Sequence, residues 1–456
     1  MQFVVEQTIS GQADTLKEWL LGVQVFGKGQ SFDPRIDAIV RVEAGRLRTK
    51  LARYYETEGR GDPVVIHVRK GSYAAVFHER GSVGEAVEQP VTRRLEPATD
   101  RDRNDGLTSI VVLPFVNLSS DPDNEYFSDG LTEEVIAGLT RIQGLRVIAR
   151  STAFRYKGQA QDLRRIGAEL NVSAALEGSV RRIGNRLRIT AQLIDTRNCF
   201  HLWSHTYERQ LKDIFAIQQE IAEAIGGMVR GRLPVSRVWR PSNESGGTEA
   251  YDLYLRAMYL EAKRTMEGFS KGLEQLELAA DLDPQCAPIF ARLANSYALR
   301  AAYGLEAPEI AMKRACDAAS RALEIDHTLA QAYAAKGFVS ALFDWNWSVA
   351  AGNFQRALEL NPGVPEIHHR YAVFYLAPLG KTEEALWHIQ RAKFLDPMSI
   401  VLQAAECAVL VYSGRYEDAT AKGKKLVELE PTYYPGHLYL SRAYLMQGMP
   451  AESRKA

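Results

Sequence analysis

Apolar positions change their spacing three times along this chain, and each change predicts a different kind of structure. In QFVVEQTI (2–9) and ADTLKEWLLGVQVFG (13–27) they recur at helical intervals, predicting two short amphipathic helices. Over residues 35–55, Ile36, Val40, Ala44, Leu47, Leu51 and Tyr54 fall on one stripe of a helical wheel turned about 100° per residue. That stripe predicts a third helix packed by its apolar edge. PVVIHVRKGSYAAVF (63–77) then reads as a strand pair about a basic, glycine-containing bend. Residues 81–108 are polar, carry proline and glycine, and show no apolar period, so they form a linker after a small domain of residues 1–80.

From Ser109 the period alternates between strand and helix. SIVVLPF (109–115) is a buried strand, and LRVIA (145–149) is a second. Asp129 is placed to cap a helix over 130–141, with Glu133 and Glu134 in the first turn, where the helix dipole favours acids. DLRRIGAELN (162–171) is a further helix. SAALEGSVRRI and NRLRITAQLID form a hairpin about Gly184-Asn185, HLWSHTYER (201–209) is another strand, and DIFAIQQEIAEAIGGMV (213–229) is a closing helix. The expected domain, residues 109–230, is a mixed sheet with helices packed on it.

After a polar break at 231–247 the pattern becomes wholly helical, over 248–456, and repeats. LDP, LNP, LDP and LEP end at Pro284, Pro362, Pro397 and Pro431, and EIDH ending at His327 fills the missing mark. The last three marks stand 35 and 34 residues apart, and the longer first interval implies an insertion around Tyr303–Pro308. A period of about 34 residues is that of the tetratricopeptide repeat, a helix pair closed by proline. Small residues such as Gly380, Ala385, Gly414 and Ala419 let paired helices approach, and Tyr375 and Tyr444 fill the space to the next pair. The array stops at AESRKA, where a solenoid is expected to have a polar capping helix.

Charge changes the picture at one place. Lys+Arg and Asp+Glu both number 56, so the whole molecule presents no field for a polyanion, and any nucleic-acid contact must be local. Between Arg41 and Arg60 six cations face three acids. On the helical wheel Arg46, Thr49, Lys50 and Arg53 lie on or near the side opposite the apolar stripe, with Arg41 and Arg48 on the flank. Arg69 and Lys70 sit at the bend of the strand pair. Three helices followed by such a hairpin have the layout of a winged helix.

VRVEAGRLRTKL followed by VVIHVRKGSYAAVF resembles the OmpR/PhoB-type winged-helix domain over roughly residues 1–78. It departs from that family in keeping one wing glycine, Gly71, and in lacking the N-terminal strands. The resemblance implies a third helix in the DNA major groove and a wing on the phosphates. Arg46, Thr49, Lys50 and Arg53 are then the expected groove contacts, and Arg41, Arg48, Arg69 and Lys70 the expected phosphate contacts. Residues 109–229, through VVLPFVNLSSDPDNEYFSDGLTEEVIAGL, VIARSTAFRYKG and LEGSVRRIGNRLRITAQLID, are similar to the TolB-like N-terminal α/β domain that precedes tetratricopeptide repeats in bacterial regulators. That likeness implies an interaction or ligand-responsive module rather than a catalyst.

Candidate chemistry is weak. Asp121, Asp123 and Glu125 lack the glycine and distal glutamate of a calcium loop. His201 and His205 are four apart on a strand, about 13 Å, too far for one ion. His368 and His369 read as surface or packing residues. The dinucleotide, P-loop and nucleophile-elbow motifs are absent. Relatives of this architecture sometimes carry a nucleotide-cyclase domain, whose metal-binding carboxylates have no counterpart here. Cys199, Cys286, Cys316 and Cys407 form no CxxC pair, and no stretch approaches a membrane span. The expectation is a bacterial, cytoplasmic, non-enzymatic transcription regulator with no metal or cofactor. It would bind promoter DNA through residues 35–77 as a homodimer on paired half-sites, with the other domains receiving a signal. The alternative is a scaffold whose concave repeat surface holds a protein or peptide partner beside a vestigial winged helix.

Overall fold

The computed structural model describes residues 107–159, 162–229 and 246–456, with residues 2–9, 18–27, 62–68 and 75–79 and single positions at 40–59 and 73. It divides into two compact units, residues 1–101 and 102–456.

In the first unit, α1 (Gln2–Ile9) and α2 (Glu18–Gln24) precede helical positions at 40, 43, 44, 47, 50, 51, 54 and 55. Strands β1 (Val64–Val68) and β2 (Ala75–Glu79) pair antiparallel, with Val64 opposite Glu79 and Val68 opposite Ala75. Val4, Leu21, Val40 and Ala75 make a small core. Thr8 ties α1 to the hairpin, accepting from the Ala75 amide at 3.0 Å. The expected apolar stripe ends differently at its C-terminal side. Tyr54 is 40% exposed and its hydroxyl donates to Asp62 at 3.1 Å. Tyr55 is half-buried instead, its hydroxyl accepting from the Ile66 amide at 3.1 Å. A phenol needs a partner at its polar tip, and that need outweighs the wheel.

The second unit begins with a six-stranded sheet. Strands β3 (Ser109–Val112), β4 (Val116–Asn117), β5 (Arg146–Val147), β6 (Ala174–Ile183), β7 (Arg186–Asp195) and β8 (His201–Gln210) run in the order β5-β3-β6-β7-β8, with β4 beside β6. β3 lies parallel to β5 and β6 and is buried along its whole length, as a continuous apolar run requires. β6, β7 and β8 are antiparallel, and Gly184 at φ +57 turns the β6–β7 hairpin. Helices α3 (Glu125–Leu139), α4 (Leu163–Leu170) and α5 (Ile214–Gly226) belong to the same layer system. α4 starts where Asp162 accepts from the amides of Arg164 and Arg165 and ends at Asn171 in the left-handed region.

Asp129 is not a cap. α3 begins four residues earlier, after a 3-10 turn in which Asp121 accepts from the Asp123 amide. Asp129 is therefore buried mid-helix, and Lys157 Nζ reaches both it and Glu125 at 2.6 Å. Burial raises the Asp129 carboxyl overall, against the pull of Lys157.

The rest is a tetratricopeptide-like solenoid of helix pairs: α6 (Gly246–Ala262) with α7 (Met266–Leu282), α8 (Ala287–Ala302) with α9 (Pro308–Ile325), α10 (Ala330–Leu342) with α11 (Trp347–Leu360), α12 (Pro365–Tyr371) with α13 (Thr382–Leu395), α14 (Ile400–Tyr412) with α15 (Tyr416–Leu429), and α16 (Tyr434–Met446) with α17 (Pro450–Lys455). The longer first interval is taken up by α8, α9 and the connector at 303–307. The turn inside every pair reverses through one left-handed residue: Arg264, Gly304, Trp345, Gly380, Gly414 and Gly448. Glycine adopts that conformation without strain, and a side chain there costs about 1 kcal/mol. Trp345→Gly is expected to raise stability by about that amount and Gly414→Ala to lower it similarly, read by urea unfolding.

His368 is a core residue, the packing alternative of the two read from the sequence. Its Nε2 faces the Pro362 carbonyl at 3.0 Å, so that nitrogen carries the proton. Its Nδ1 then accepts from His388 Nδ1–H at 2.8 Å, and both rings are neutral. Burial depresses His368, His369 and His388 to about 4. The unfolded chain therefore takes up these protons first, so their contribution is intact above about pH 6.5 and is lost as pH falls toward 4. Each histidine adds a slope of up to about 1.4 kcal/mol per pH unit in that window. The thermal midpoint is expected to fall between pH 6.5 and 4, less steeply in His388→Gln, and an unchanged slope in that variant would contradict the assignment.

Candidate functional site

The DNA-contact residues inferred above divide by where they lie. Lys50 is exposed on the helical stretch, in which Val40 is buried. Arg41, Arg46, Arg48, Thr49, Arg53, Arg69 and Lys70 lie outside the described residues. Among the described residues no three His, Cys, Asp or Glu side chains gather to hold a metal ion, and no helix is long and apolar enough to cross a membrane.

The most developed polar site lies between the α/β layer and the repeats. It is built from the residue that precedes three of the four repeat prolines. Asn361 Nδ2 donates to Thr140 Oγ1 at 3.1 Å. One repeat later, Asp396 accepts from Thr152 Oγ1 at 2.6 Å and from Ser151 Oγ. One repeat further, Glu430 stands 3.9 Å from Arg155. Backbone bonds lock the middle of this row. The Ala149 amide donates to the Leu395 carbonyl at 3.0 Å, and Arg146 donates to the Phe394 carbonyl at 2.7 and 3.0 Å while its guanidinium covers the Phe394 ring at 3.9 Å.

Toward the first repeats, α3 lies on the face made by the first helix of each pair. Asp252 on α6 binds Arg182 at 2.6 Å, Arg256 at 2.9 Å and the Tyr126 hydroxyl at 2.6 Å. Burial alone would raise the Asp252 carboxyl, but Tyr126 and the two guanidinium groups hold it below the usual carboxylate range. Arg292 on α8 is clasped between two acids, Glu261 at 2.7 Å and Glu133 of α3 at 3.3 Å. Glu133 also pairs with Arg150 at 2.7 Å. Burial would lower Arg292, yet Glu261 and Glu133 outweigh it and keep the guanidinium charged.

Beside this pair is a cavity of about 230 Å³, bounded by Glu134 and Arg141 of α3, Tyr254 of α6, Asn295 of α8 and Arg370 of α12. Burial pushes the Glu134 carboxyl up to about 7, against the Tyr254 hydroxyl that donates to it at 3.1 Å; neighbouring Glu133 adds to the rise. Arg370 bonds Asn295 and pairs with Glu366 at 2.7 Å. These acids and bases answer one another, so the arrangement holds two folds together and offers no nucleophile–base pair. α3 packs on α6 and reaches Arg292 of α8, while the cavity separates it from α10 and α12, so part of the inner face of the repeats meets the protein's own α/β layer. The proline marks were legible in the sequence; the docking role of the residue before three of them was not.

No family model matches the chain. Over 280 residues it is 35% identical to "Putative adenylate cyclase 3" of Rhizobium meliloti (strain 1021), covering 59% of this chain and 46% of that protein. Over 184 residues it is 25% identical to the transcriptional regulator HilA of Salmonella typhimurium, covering 40% and 33%. The chain thus spans less than half the length of these curated relatives. Among solved structures, a thermophilic TPR protein of Thermus thermophilus is 17% identical, with 43% of this chain and 99% of that one covered, at a TM-score of 0.35.

Replacing Arg292 by Met strands the buried Glu261 without its cation, while Glu133 keeps Arg150. The expected cost is about 3–5 kcal/mol in urea unfolding, partly recovered when Glu261→Gln is added. A cost below about 1 kcal/mol for Arg292→Met would mean that the clasp contributes little.

Proposed function

We propose that the chain is a non-enzymatic scaffold whose helical repeats carry the α/β layer on their inner face and take a protein partner on the pairs beyond it. The observation that carries this reading is the exposed apolar surface of the last pairs. Tyr412 on α14 and Tyr434, Leu445 and Met446 on α16 are all at least half exposed. Large exposed apolar side chains grouped on a rigid array mark protein contact, and aromatic anchors supply much of the binding energy there. The cyclase named in the Rhizobium protein has no supporting constellation among the described residues, and more than half of that protein lies outside the stretch this chain matches.

A second reading places promoter DNA on residues 35–77. It is favoured by the antiparallel β1–β2 hairpin that follows a helical stretch with Val40 inward and Lys50 outward, and by the partial match to a transcription regulator. Arg46, Thr49, Lys50 and Arg53 would face the groove, and Arg41, Arg48, Arg69 and Lys70 the phosphates, in a homodimer on paired half-sites.

One experiment separates them. The wild-type chain and two variants, Tyr434→Ser/Leu445→Ser and Arg46→Ala/Arg53→Ala, are used to capture partners and to bind promoter fragments over a salt series. The scaffold reading expects protein partners to be lost only in the first variant. The DNA reading expects retardation with a log–log salt slope of about −4 to −7, weakened only in the second. Partner capture indifferent to Tyr434 and Leu445 overturns the first reading, and salt-insensitive or absent retardation overturns the second.

A further inference from the structure

The far end of the sheet carries a group of cations that no structural role absorbs. β6, β7 and β8 bury one face through Val180, Leu187, Ile189 and Tyr207 and leave the other open. On the open face Arg181 of β6 stands directly opposite Arg188 of β7, which stands opposite Glu208 of β8. Two residues along, the row continues with Ile183, Arg186 and Gln210. Lys212 completes the rim of an open groove of about 820 Å³ at this end, and Arg209, opposite Leu187 in the register, borders it from the other face.

Directly opposite side chains in an antiparallel pair sit about 5 Å apart, and like charges there repel. Glu208 answers only one of the set, approaching Arg188 at 3.4 Å with both side chains largely in solvent. Asp213, the other acid on the groove, is engaged by the Gln210 amide at 3.1 Å. Among the described residues no carboxylate pairs with Arg181, Arg186 or Lys212. In the same unit Arg182, one residue from Arg181 but on the opposite face, is paired with Asp252 at 2.6 Å. The unpaired cations are therefore a property of this face, not of arginine in this protein generally.

We infer that this sheet end is a docking surface for the phosphate backbone of duplex nucleic acid, separate from residues 35–77 and independent of their role. Four of the five cations are arginines, whose planar forks suit phosphate oxygens. An acidic protein would need apolar anchors at the centre of its contact, and among the groove's side chains Ile183 is the single exposed apolar one. Phosphate contact needs none, because its free energy comes from charge neutralisation and counterion release.

The test uses the full chain, a fluorescein-labelled duplex of about 20 base pairs and anisotropy between about 50 and 300 mM NaCl. Arg181→Ala/Arg186→Ala/Arg188→Ala is expected to bind at least about tenfold more weakly at about 100 mM salt, with the log–log slope reduced by about two to three. Glu208→Gln removes the opposing charge and releases Arg188, so it is expected to bind about two- to threefold more tightly; this arm holds even where the triple variant folds poorly. Arg46→Ala/Arg53→Ala reports on residues 35–77 separately. The inference is overturned if the triple variant keeps wild-type affinity and slope with its circular dichroism unchanged, or if Glu208→Gln does not tighten binding. It is equally overturned if the wild-type chain binds polyglutamate and not the duplex, or binds neither.

Discussion

The junction between the α/β layer and the repeats depends on a cation that cannot leave. Arg292 is largely enclosed by protein, and its charge is tolerable only because Glu261 comes from its own solenoid and Glu133 from the neighbouring fold. An ion shared in this way ties the two folds together, although each part alone keeps a pair of its own, Arg292 with Glu261 and Glu133 with Arg150. The row of contacts at Asn361, Asp396 and Glu430 then fixes the angle at which the layer sits, one repeat at a time. Residues 102–456 consequently form one compact unit although they combine two architectures.

That constraint redistributes the surfaces on which the protein can act. A helical array normally presents the first helix of each pair to a ligand; here α3 packs on α6 and reaches α8, with a cavity between it and the next two. The exposed Tyr434, Leu445 and Met446 and the open side of the sheet remain. The solenoid meets the layer from its first pair, through Asp252, to its fifth, through Glu430.

The sequence made the architecture readable because its signals are local. A 34-residue interval between prolines, a Gly-Asn pair between alternating segments and an apolar run at 109–113 each report on a few neighbouring residues. The failures are non-local. Asp129 looked like a cap because its helix was taken to begin beside it, and only Lys157, on a later turn, explains a buried carboxylate there. His368 stood open between surface and packing until His388, in the second helix of its pair, supplied the other half of a hydrogen bond. Tyr54 and Tyr55 exchanged roles because the polar tip of each ring found its partner in the hairpin region, beyond the reach of a helical wheel. The residue before the repeat proline, Asp283, Asn361, Asp396 or Glu430, is polar throughout, but that polarity did not single out the junction. At Asp283 and Asn361 the side chain accepts from the amide two residues on, so the turn between pairs already accounts for it.

Equal totals of acids and bases conceal how unevenly they are spent. Asp252, Glu133, Glu261 and Glu366 each answer an arginine within the second unit, and Glu406 answers both Lys393 and Lys422 at 2.7 Å. Removal from water forces this pairing: a buried charge without a partner costs several kcal/mol, so the interior selects balanced sets. No such pressure acts on an open sheet face, where solvent screens repulsion and an isolated cation costs almost nothing. Neutrality of the whole is therefore compatible with a strongly positive part, provided that the part lies where water can reach it. Arg181 beside Arg188 meets that condition, whereas Arg182, turned to the other face, carries a carboxylate partner.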